Sequence, residues 1–143
     1  MTGSEEAQRM LTVAEIDLKA LRNMLDPELF EDSVFGFHAQ QAVEKVLKAW
    51  LSLYGLAYPK THDLRFLMNL LQAQARVDCE RFAELADLTD FAVQFRYDFS
   101  TLSPGLSRTE ILSRVEALWD HVEQIVGEID ATTGMMHHTV RIV

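Results

Sequence analysis

The chain has 143 residues, of which 48% are hydrophobic and 24% charged, a composition typical of one folded domain and not of a disordered chain. Thirteen lysines and arginines stand against twenty-two aspartates and glutamates, which gives a formal charge of -9. Nucleic-acid binders gain much of their affinity from a basic surface. The charge therefore argues against a general RNA or DNA binder, although a small basic pocket is compatible with it.

Three further features bear on the cellular setting. No apolar run approaches the roughly 18 residues that a membrane span needs. The N-terminal stretch MTGSEEAQRM is acidic and polar, unlike a secretory signal. The single cysteine, Cys79, excludes an internal disulfide and a thiolate metal cluster. We expect a cytoplasmic protein with no membrane segment.

Two long helices are predicted in the first part of the chain. The first runs from about Ser4 to Leu25, where apolar residues recur at helical spacing. It ends before Asp26-Pro27, because the residue before a proline avoids the helical conformation. The second runs from about Ser33 to Tyr54 and is followed by Gly55.

Three more helices follow, with short connections between them. The third spans about Asp63 to Ala75, after a plausible cap at Thr61. The fourth spans about Cys79 to Asp98, and the fifth begins with a capping box at Ser107 and ends near Asp130. No stretch alternates long enough to predict a strand. The pattern predicts an all-α fold, an antiparallel up-and-down bundle of about five helices in residues 1–130, with a flexible C-terminal tail in residues 131–143.

A line of polar side chains on the second helix is the first candidate site. On a helical wheel His38, Gln41 and Lys45 lie together on one margin of a broad apolar arc. Glu44 falls on the polar side and Gln40 on the opposite margin. The line is either a solvated edge of the bundle or one wall of a binding cleft, and the pattern alone favours neither.

Arg96 is the second candidate, because it falls near the middle of the apolar arc of the fourth helix. An unpaired buried charge costs several kcal/mol, so the guanidinium must be paired or must face a cleft. One interpretation is a structural ion pair with Glu44, Asp90 or Asp98. The other is an arginine that binds an anion at a cleft or a symmetric interface.

The remaining histidines are weaker candidates. His62 stands at a predicted helix start, where it can simply close a turn, and His137 and His138 lie in the predicted tail. The sequence contains no HExxH motif, no glycine-rich phosphate loop and no cysteine or histidine cluster with zinc spacing. It therefore predicts neither a metal nor a cofactor.

Three stretches of the chain resemble one known family. The run Phe37-His38-Ala39-Gln40-Gln41-Ala42-Val43-Glu44-Lys45, followed by Leu47-Lys48-Ala49, resembles the second helix of the HEPN family, the higher-eukaryote and prokaryote nucleotide-binding domain. Lys60-Thr61-His62-Asp63-Leu64 and Phe95-Arg96-Tyr97 follow in the same order as in that family. The resemblance covers about residues 4 to 130.

The resemblance implies a bundle of four or five helices that commonly forms a two-fold dimer. Many members are encoded beside a minimal nucleotidyltransferase and form a toxin–antitoxin pair with it. Glu44-x-x-x-Lys48 is similar to an acidic–basic pattern of some members, although Ala49 replaces the basic residue expected next. The resemblance thus implies a homodimer with a nucleotidyltransferase partner.

Ribonuclease members of the family carry an arginine, four to six intervening residues and then a histidine. Arg96 matches the arginine, but the histidine positions hold Thr101, Leu102 and Ser103. These side chains do not titrate near neutral pH, whereas RNA cleavage without a metal needs a general acid–base group. An enzyme would need a replacement base, for which His38 and His62 are the candidates.

We therefore expect a non-catalytic module that binds a nucleotide or a phosphate-like ligand. Arg96 would contact the anion, and Tyr97 would supply a stacking or hydroxyl contact. The polar line His38, Gln41 and Lys45 would contribute from the second helix. The alternatives are a ribonuclease toxin with a non-standard base and a purely structural bundle for protein interaction.

Overall fold

The structure, a computed structural model, describes residues 2–92 and 107–142, with side chains through residue 132. Its elements in chain order are α1 (Gly3–Asn23), α2 (Asp32–Leu53), α3 (Leu64–Leu70) with a π-helical extension (Leu71–Ala75), a 3₁₀ helix (Glu80–Phe91) and α4 (Arg108–Ile142). The described residues contain no strand. The predicted all-α bundle is confirmed.

Helices α1 and α2 form the central antiparallel pair of the bundle. The α1 stripe that includes Leu11, Leu18 and Leu21 is completely buried, as are Val43 and Val46 of α2. The start of α1 closely approaches the end of α2, since a Cβ atom added to Gly3 would lie 2.5 Å from the carbonyl oxygen of Ser52. The glycine thus allows the two backbones to meet where a side chain would hold them apart.

The segment around α3 differs in detail from the prediction. Asp63 caps α3 by accepting a hydrogen bond from the Phe66 amide at 3.2 Å. The predicted cap, Thr61, instead accepts a hydrogen bond from the Asp63 amide at 3.1 Å. The cap therefore moves two residues along the chain, because an aspartate is as good a cap as a threonine and stands next to the first helical residue.

The predicted fourth helix, from Cys79 to Asp98, corresponds to the 3₁₀ helix Glu80–Phe91, and residues 93–106 lie outside the described part. Thr89 forms two side-chain hydrogen bonds near the end of this helix. Its hydroxyl donates to the Ala86 carbonyl at 2.8 Å and accepts from the Leu64 amide at 3.1 Å. Such side-chain hydrogen bonds compete with regular α-helical pairing.

Helix α4 begins as predicted but is longer than predicted. The Ser107 hydroxyl accepts a hydrogen bond from the Glu110 amide at 3.2 Å. The predicted end lay near Asp130. The carboxylate of Asp130 accepts a hydrogen bond from the Ser4 hydroxyl at the start of α1. The helix continues through Ile142, so the backbone of residues 131–142 is helical. The helix can continue here because none of the residues Thr132, Thr133 and Gly134 removes a backbone donor as a proline would, although each lowers helix propensity.

Arg108, the first residue of α4, is the buried arginine of the described structure. Its side chain is 7% exposed and donates to the carbonyls of Met24 at 2.7 Å and Phe30 at 2.5 Å. It also pairs with the carboxylate of Asp32 at 2.9 Å. One guanidinium therefore joins the end of α1, the connecting loop and the start of α2 to α4.

Among the described residues, no helix has the combination of length and apolar character that would let it cross a membrane.

Candidate ligand-binding site on helix α2

A buried aspartate of α1 joins two of the three predicted residues. Asp17 accepts a hydrogen bond from Lys45 Nζ at 2.6 Å through one carboxylate oxygen. Its other oxygen lies 3.0 Å from His38 Nδ1. The side chain of Asp17 is 8% exposed, whereas those of His38 and Lys45 are 27% and 28% exposed. The buried Asp17 carboxylate therefore orients the histidine and the lysine together.

The helical repeat explains why both side chains reach the same carboxylate. His38 and Lys45 are seven residues apart on α2, which is close to two helical turns, so they share one face. Asp17 occupies a position between Ala14 and Leu21 on the buried face of α1. Because the two helices pack antiparallel, this carboxylate faces the polar margin of α2.

A second buried carboxylate on α2 has a different arrangement. Glu44 accepts from Gln40 Nε2 at 3.0 Å and from Lys48 Nζ at 3.0 Å, and it lies 2.7 Å from His62 Nδ1. Burial alone would raise the pKa of this carboxyl. The hydrogen bonds from its three partners and the charge of Lys48 outweigh burial and hold the Glu44 pKa below its ordinary value.

This second cluster fastens the connection before α3 onto α2. Gln40 Nε2 also donates to the His62 carbonyl at 2.9 Å. The Lys48 side chain is only 15% exposed, and its ammonium lies 5.7 Å from the centre of the Tyr58 ring. Since Glu44 and Lys48 are covered and their contacts are internal, we interpret this cluster as architecture and not as a ligand site.

The wheel placed Glu44 on the polar side of α2 and Gln40 on its opposite margin, and both side chains are buried in the structure. The wheel assumed that solvent faces this side, whereas the chain around His62 covers it. Gln41 is connected to the same network, because its Nε2 donates to Gln40 Oε1 at 2.8 Å. The polar side chains of α2 thus form a band between Asp17 and His62.

Arg96 and Tyr97, the other two predicted site residues, lie outside the described residues. The residues on either side of that gap are informative. The ring of Phe91 packs so closely on α2 that a Cβ atom added to Gly36 would lie 2.3 Å from it. After the gap, Arg108 is bound to Asp32. Phe91 and Arg108 therefore both contact the first turns of α2, the end that carries His38.

Neither Asp17 nor Arg108 was predicted as an important residue. Asp17 is a carboxylate within the apolar stripe of α1, which is the same signal that singled out Arg96. Arg108 lies within a capping box, where a charged residue is usually solvated, so its burial had no comparable signal. Both have partners remote in sequence, and only the folded chain identifies those partners.

His121 of α4 was not predicted as a notable residue either, and it lies in an aromatic cluster. Its ring centre is 5.3 Å from that of Trp50 and 5.7 Å from that of Phe82. Burial of the ring and the nearby charge of Arg81 lower the pKa of His121, against a smaller opposing effect of Glu128. The neutral ring is thus the form that fits this cluster.

Open clefts of about 380 and 610 Å³ lie elsewhere in the described part of the chain, between α1 and α4. Thr12 and Gln8 border both clefts, and Trp119 borders the smaller one. Neither cleft includes His38, Gln41 or Lys45. No group of side chains in the described part of the chain is arranged to hold a metal ion.

Comparison with known proteins identifies a family but no individual relative. No curated protein and no solved structure matches the chain. A family model described as the HEPN domain matches residues 7–128. The match spans α1, α2, α3, the 3₁₀ helix and most of α4, including the band of polar residues on α2. The chain therefore belongs to the HEPN domain family.

Proposed function

We propose that this HEPN domain is a non-catalytic module that binds a nucleotide or another phosphate-bearing ligand and partners a minimal nucleotidyltransferase in a toxin–antitoxin pair. One observation carries the ligand part of the proposal, which is the pair formed by His38 and Lys45. Asp17 orients both side chains while each keeps more than a quarter of its surface exposed. Pre-oriented polar groups lose little entropy when they bind a ligand.

The remaining predicted residues complete the proposed site. Gln41 lies between His38 and Lys45 in sequence and contributes an amide. We place Arg96 as the anion contact and Tyr97 as a stacking or hydroxyl contact. The position of the flanking residues supports this placement, because Phe91 and Arg108 both contact the first turns of α2. The negative charge of Asp17 compensates the positive charge of Lys45. An arginine at this end of the helix would supply a further positive charge for the anion.

Isothermal titration with ATP, GTP and short RNAs tests the ligand proposal. We expect binding of at least one mononucleotide, and a loss of about tenfold or more in the Arg96→Ala variant. That loss corresponds to a charge-assisted contact of ~1.5–3 kcal/mol. Arg96→Lys should weaken binding less than Arg96→Ala, because lysine keeps the charge without the bidentate geometry. No binding by the wild type, alone or with a nucleotidyltransferase, would leave only the structural interpretation.

The partner proposals rest on family membership and have separate tests. A small nucleotidyltransferase gene beside this one, whose product co-purifies with the chain, would support the pairing. A homodimer is expected because HEPN domains often pair across a two-fold axis and isologous pairing is the commonest oligomeric arrangement. Sedimentation at tens of micromolar checks it, and a strictly monomeric profile would contradict it.

A ribonuclease with a non-standard base is the second candidate, and one observation favours it. A histidine whose Nδ1 faces a buried carboxylate is the usual arrangement of a general base, because the carboxylate fixes the tautomer and orientation. His38 has this arrangement with Asp17. Cleavage of RNA in EDTA by the wild type, abolished in His38→Phe, would favour the enzyme. Intact RNA would favour the binding module.

A further inference from the structure

The hydrogen-bonding character of His38 is set by its partner. An ionised carboxylate only accepts hydrogen bonds, so the contact with Asp17 requires a proton on His38 Nδ1. In the neutral ring, Nε2 then carries a lone pair and accepts. Phe37 packs edge-on against the ring, with centres 5.4 Å apart, and further limits its rotation. Within the described residues Nε2 has no hydrogen-bond partner.

Lys45 has the opposite character. Its ammonium carries three protons, and its single contact in the described structure is the one with Asp17 at 2.6 Å. Donors therefore remain for a ligand that approaches the exposed side. Because the histidine and the lysine contact the two oxygens of the same carboxylate, one face of α2 offers both an acceptor and a cationic donor.

A ligand that matches this pair needs a phosphate for the ammonium and a hydroxyl donor for the imidazole. A ribonucleotide supplies both, and its 2′-hydroxyl distinguishes it from a deoxyribonucleotide. We infer, on the basis of the proposed function, that the site selects ribonucleotides. In this arrangement His38 Nε2 accepts a hydrogen bond from a ribose hydroxyl, and Lys45 contacts the phosphate.

The expected discrimination follows from the exposure of His38. A fully buried acceptor that loses its donor is left unsatisfied, and the loss of affinity is large. The ring of His38 is 27% exposed, so water replaces the missing hydroxyl. We therefore expect a preference of about threefold to tenfold for ribose over deoxyribose, the range of one net hydrogen bond.

Titrations with ATP, 2′-deoxy-ATP and 3′-deoxy-ATP, and with the corresponding guanine nucleotides, all at one fixed pH, test the inference. The wild type should bind the full ribonucleotide more tightly than at least one deoxy form. His38→Phe should remove this difference by lowering ribonucleotide affinity to the deoxy level. Lys45→Met should weaken ribose and deoxyribose forms by the same factor, since the phosphate is common to both.

The Glu44 cluster provides matched controls. His62 faces a buried carboxylate through Nδ1 as His38 does, and Lys48 pairs with a buried carboxylate as Lys45 does. His62→Phe and Lys48→Met should keep both the affinity and the ribose preference. Circular dichroism verifies that each variant is folded.

The results separate the inference from the function on which it rests. Equal binding of ribose and deoxyribose forms by the wild type would overturn the inference and leave the proposed function standing. No binding of any nucleotide would overturn both. A ribose preference that survives in His38→Phe, or disappears in His62→Phe, would show that the hydroxyl is recognised elsewhere.

Discussion

The strongest stability prediction concerns Arg108. Replacing it in Arg108→Met keeps an aliphatic stem of similar volume but removes all three hydrogen bonds. The carbonyls of Met24 and Phe30 lose a charged donor, whereas Asp32 is a third exposed and can be solvated. An unsatisfied buried carbonyl costs about 1–3 kcal/mol, and because the Phe30 contact is only partly buried, the two carbonyls together cost about 2–4 kcal/mol. The guanidinium also lies 5.1 Å from the centre of the Phe35 ring, a contact of about 1 kcal/mol.

Together these contributions predict a loss of about 3–5 kcal/mol in the free energy of unfolding. For a domain of this size, that loss corresponds to roughly 10–15 °C in melting temperature. Urea denaturation followed by circular dichroism measures it. Arg108→Lys should fall between the wild type and Arg108→Met, because an ammonium can satisfy some of the acceptors without reaching all of them.

Arg114→Met is the matched control, because it removes an arginine six positions later on the same helix. Arg114 is 39% exposed and pairs with Glu84, which is 62% exposed. Exposed ion pairs contribute about 0–1 kcal/mol, so this variant should be nearly as stable as the wild type. If Arg108→Met lost no more stability than Arg114→Met, the carbonyl contacts could not hold α4 as described.

Three further predictions concern glycine packing and pH. Gly36→Ala should lower the free energy of unfolding by about 1–3 kcal/mol, because the added methyl group overpacks against Phe91. The double variant with Phe91→Leu should recover part of this loss. Gly127→Ala is the control, because its added Cβ meets nothing, and it should raise the free energy of unfolding by about 0.5–1 kcal/mol. A Gly36→Ala variant as stable as the wild type would contradict the packing. The Glu44 pKa lies below its ordinary 4.5 in the folded chain, so ionised Glu44 stabilises the fold above that pH and the contribution is lost as the pH falls through the lowered pKa. Glu44→Gln should therefore be less stable near pH 7 and should flatten the fall of melting temperature between pH 5 and 3; an unchanged slope would refute this. The His121 pKa lies below its ordinary 6.5, so its contribution is present above that pH and is lost on acidification below it. The melting temperature of His121→Phe should therefore decline less than that of the wild type between pH 7.5 and 5. An identical decline in the variant and the wild type would show that other groups cause it.

The sequence predicted the helices where local signals are strong. The predicted bounds of α2, Ser33 to Tyr54, differ by one residue at each end from Asp32–Leu53. Apolar periodicity and a glycine after the helix suffice for such an element. The same signals did not identify the 3₁₀ helix, because a 3₁₀ and an α-helix bury a similar set of apolar residues over a short segment.

The site was predictable only in part, because half of each contact lies far away in the chain. Spacing alone placed His38 and Lys45 on one margin of α2. Spacing could not reveal that Asp17, 21 residues before His38, would orient both of them. Nor could it show that Glu44 is covered, since the cover comes from the chain around His62. A wheel describes one helix, whereas burial depends on its neighbours.

The two carboxylate clusters also determine the register of the bundle. Apolar stripes such as those of α1 and α2 can slide along each other by one turn, about 5.4 Å, and still bury similar surface. After such a slide Asp17 would leave His38 and Lys45 and would remain buried without partners, which costs several kcal/mol. Glu44 would resist the corresponding slide between α2 and the chain around His62. The polar band therefore makes the observed alignment unique, which apolar packing alone would not do.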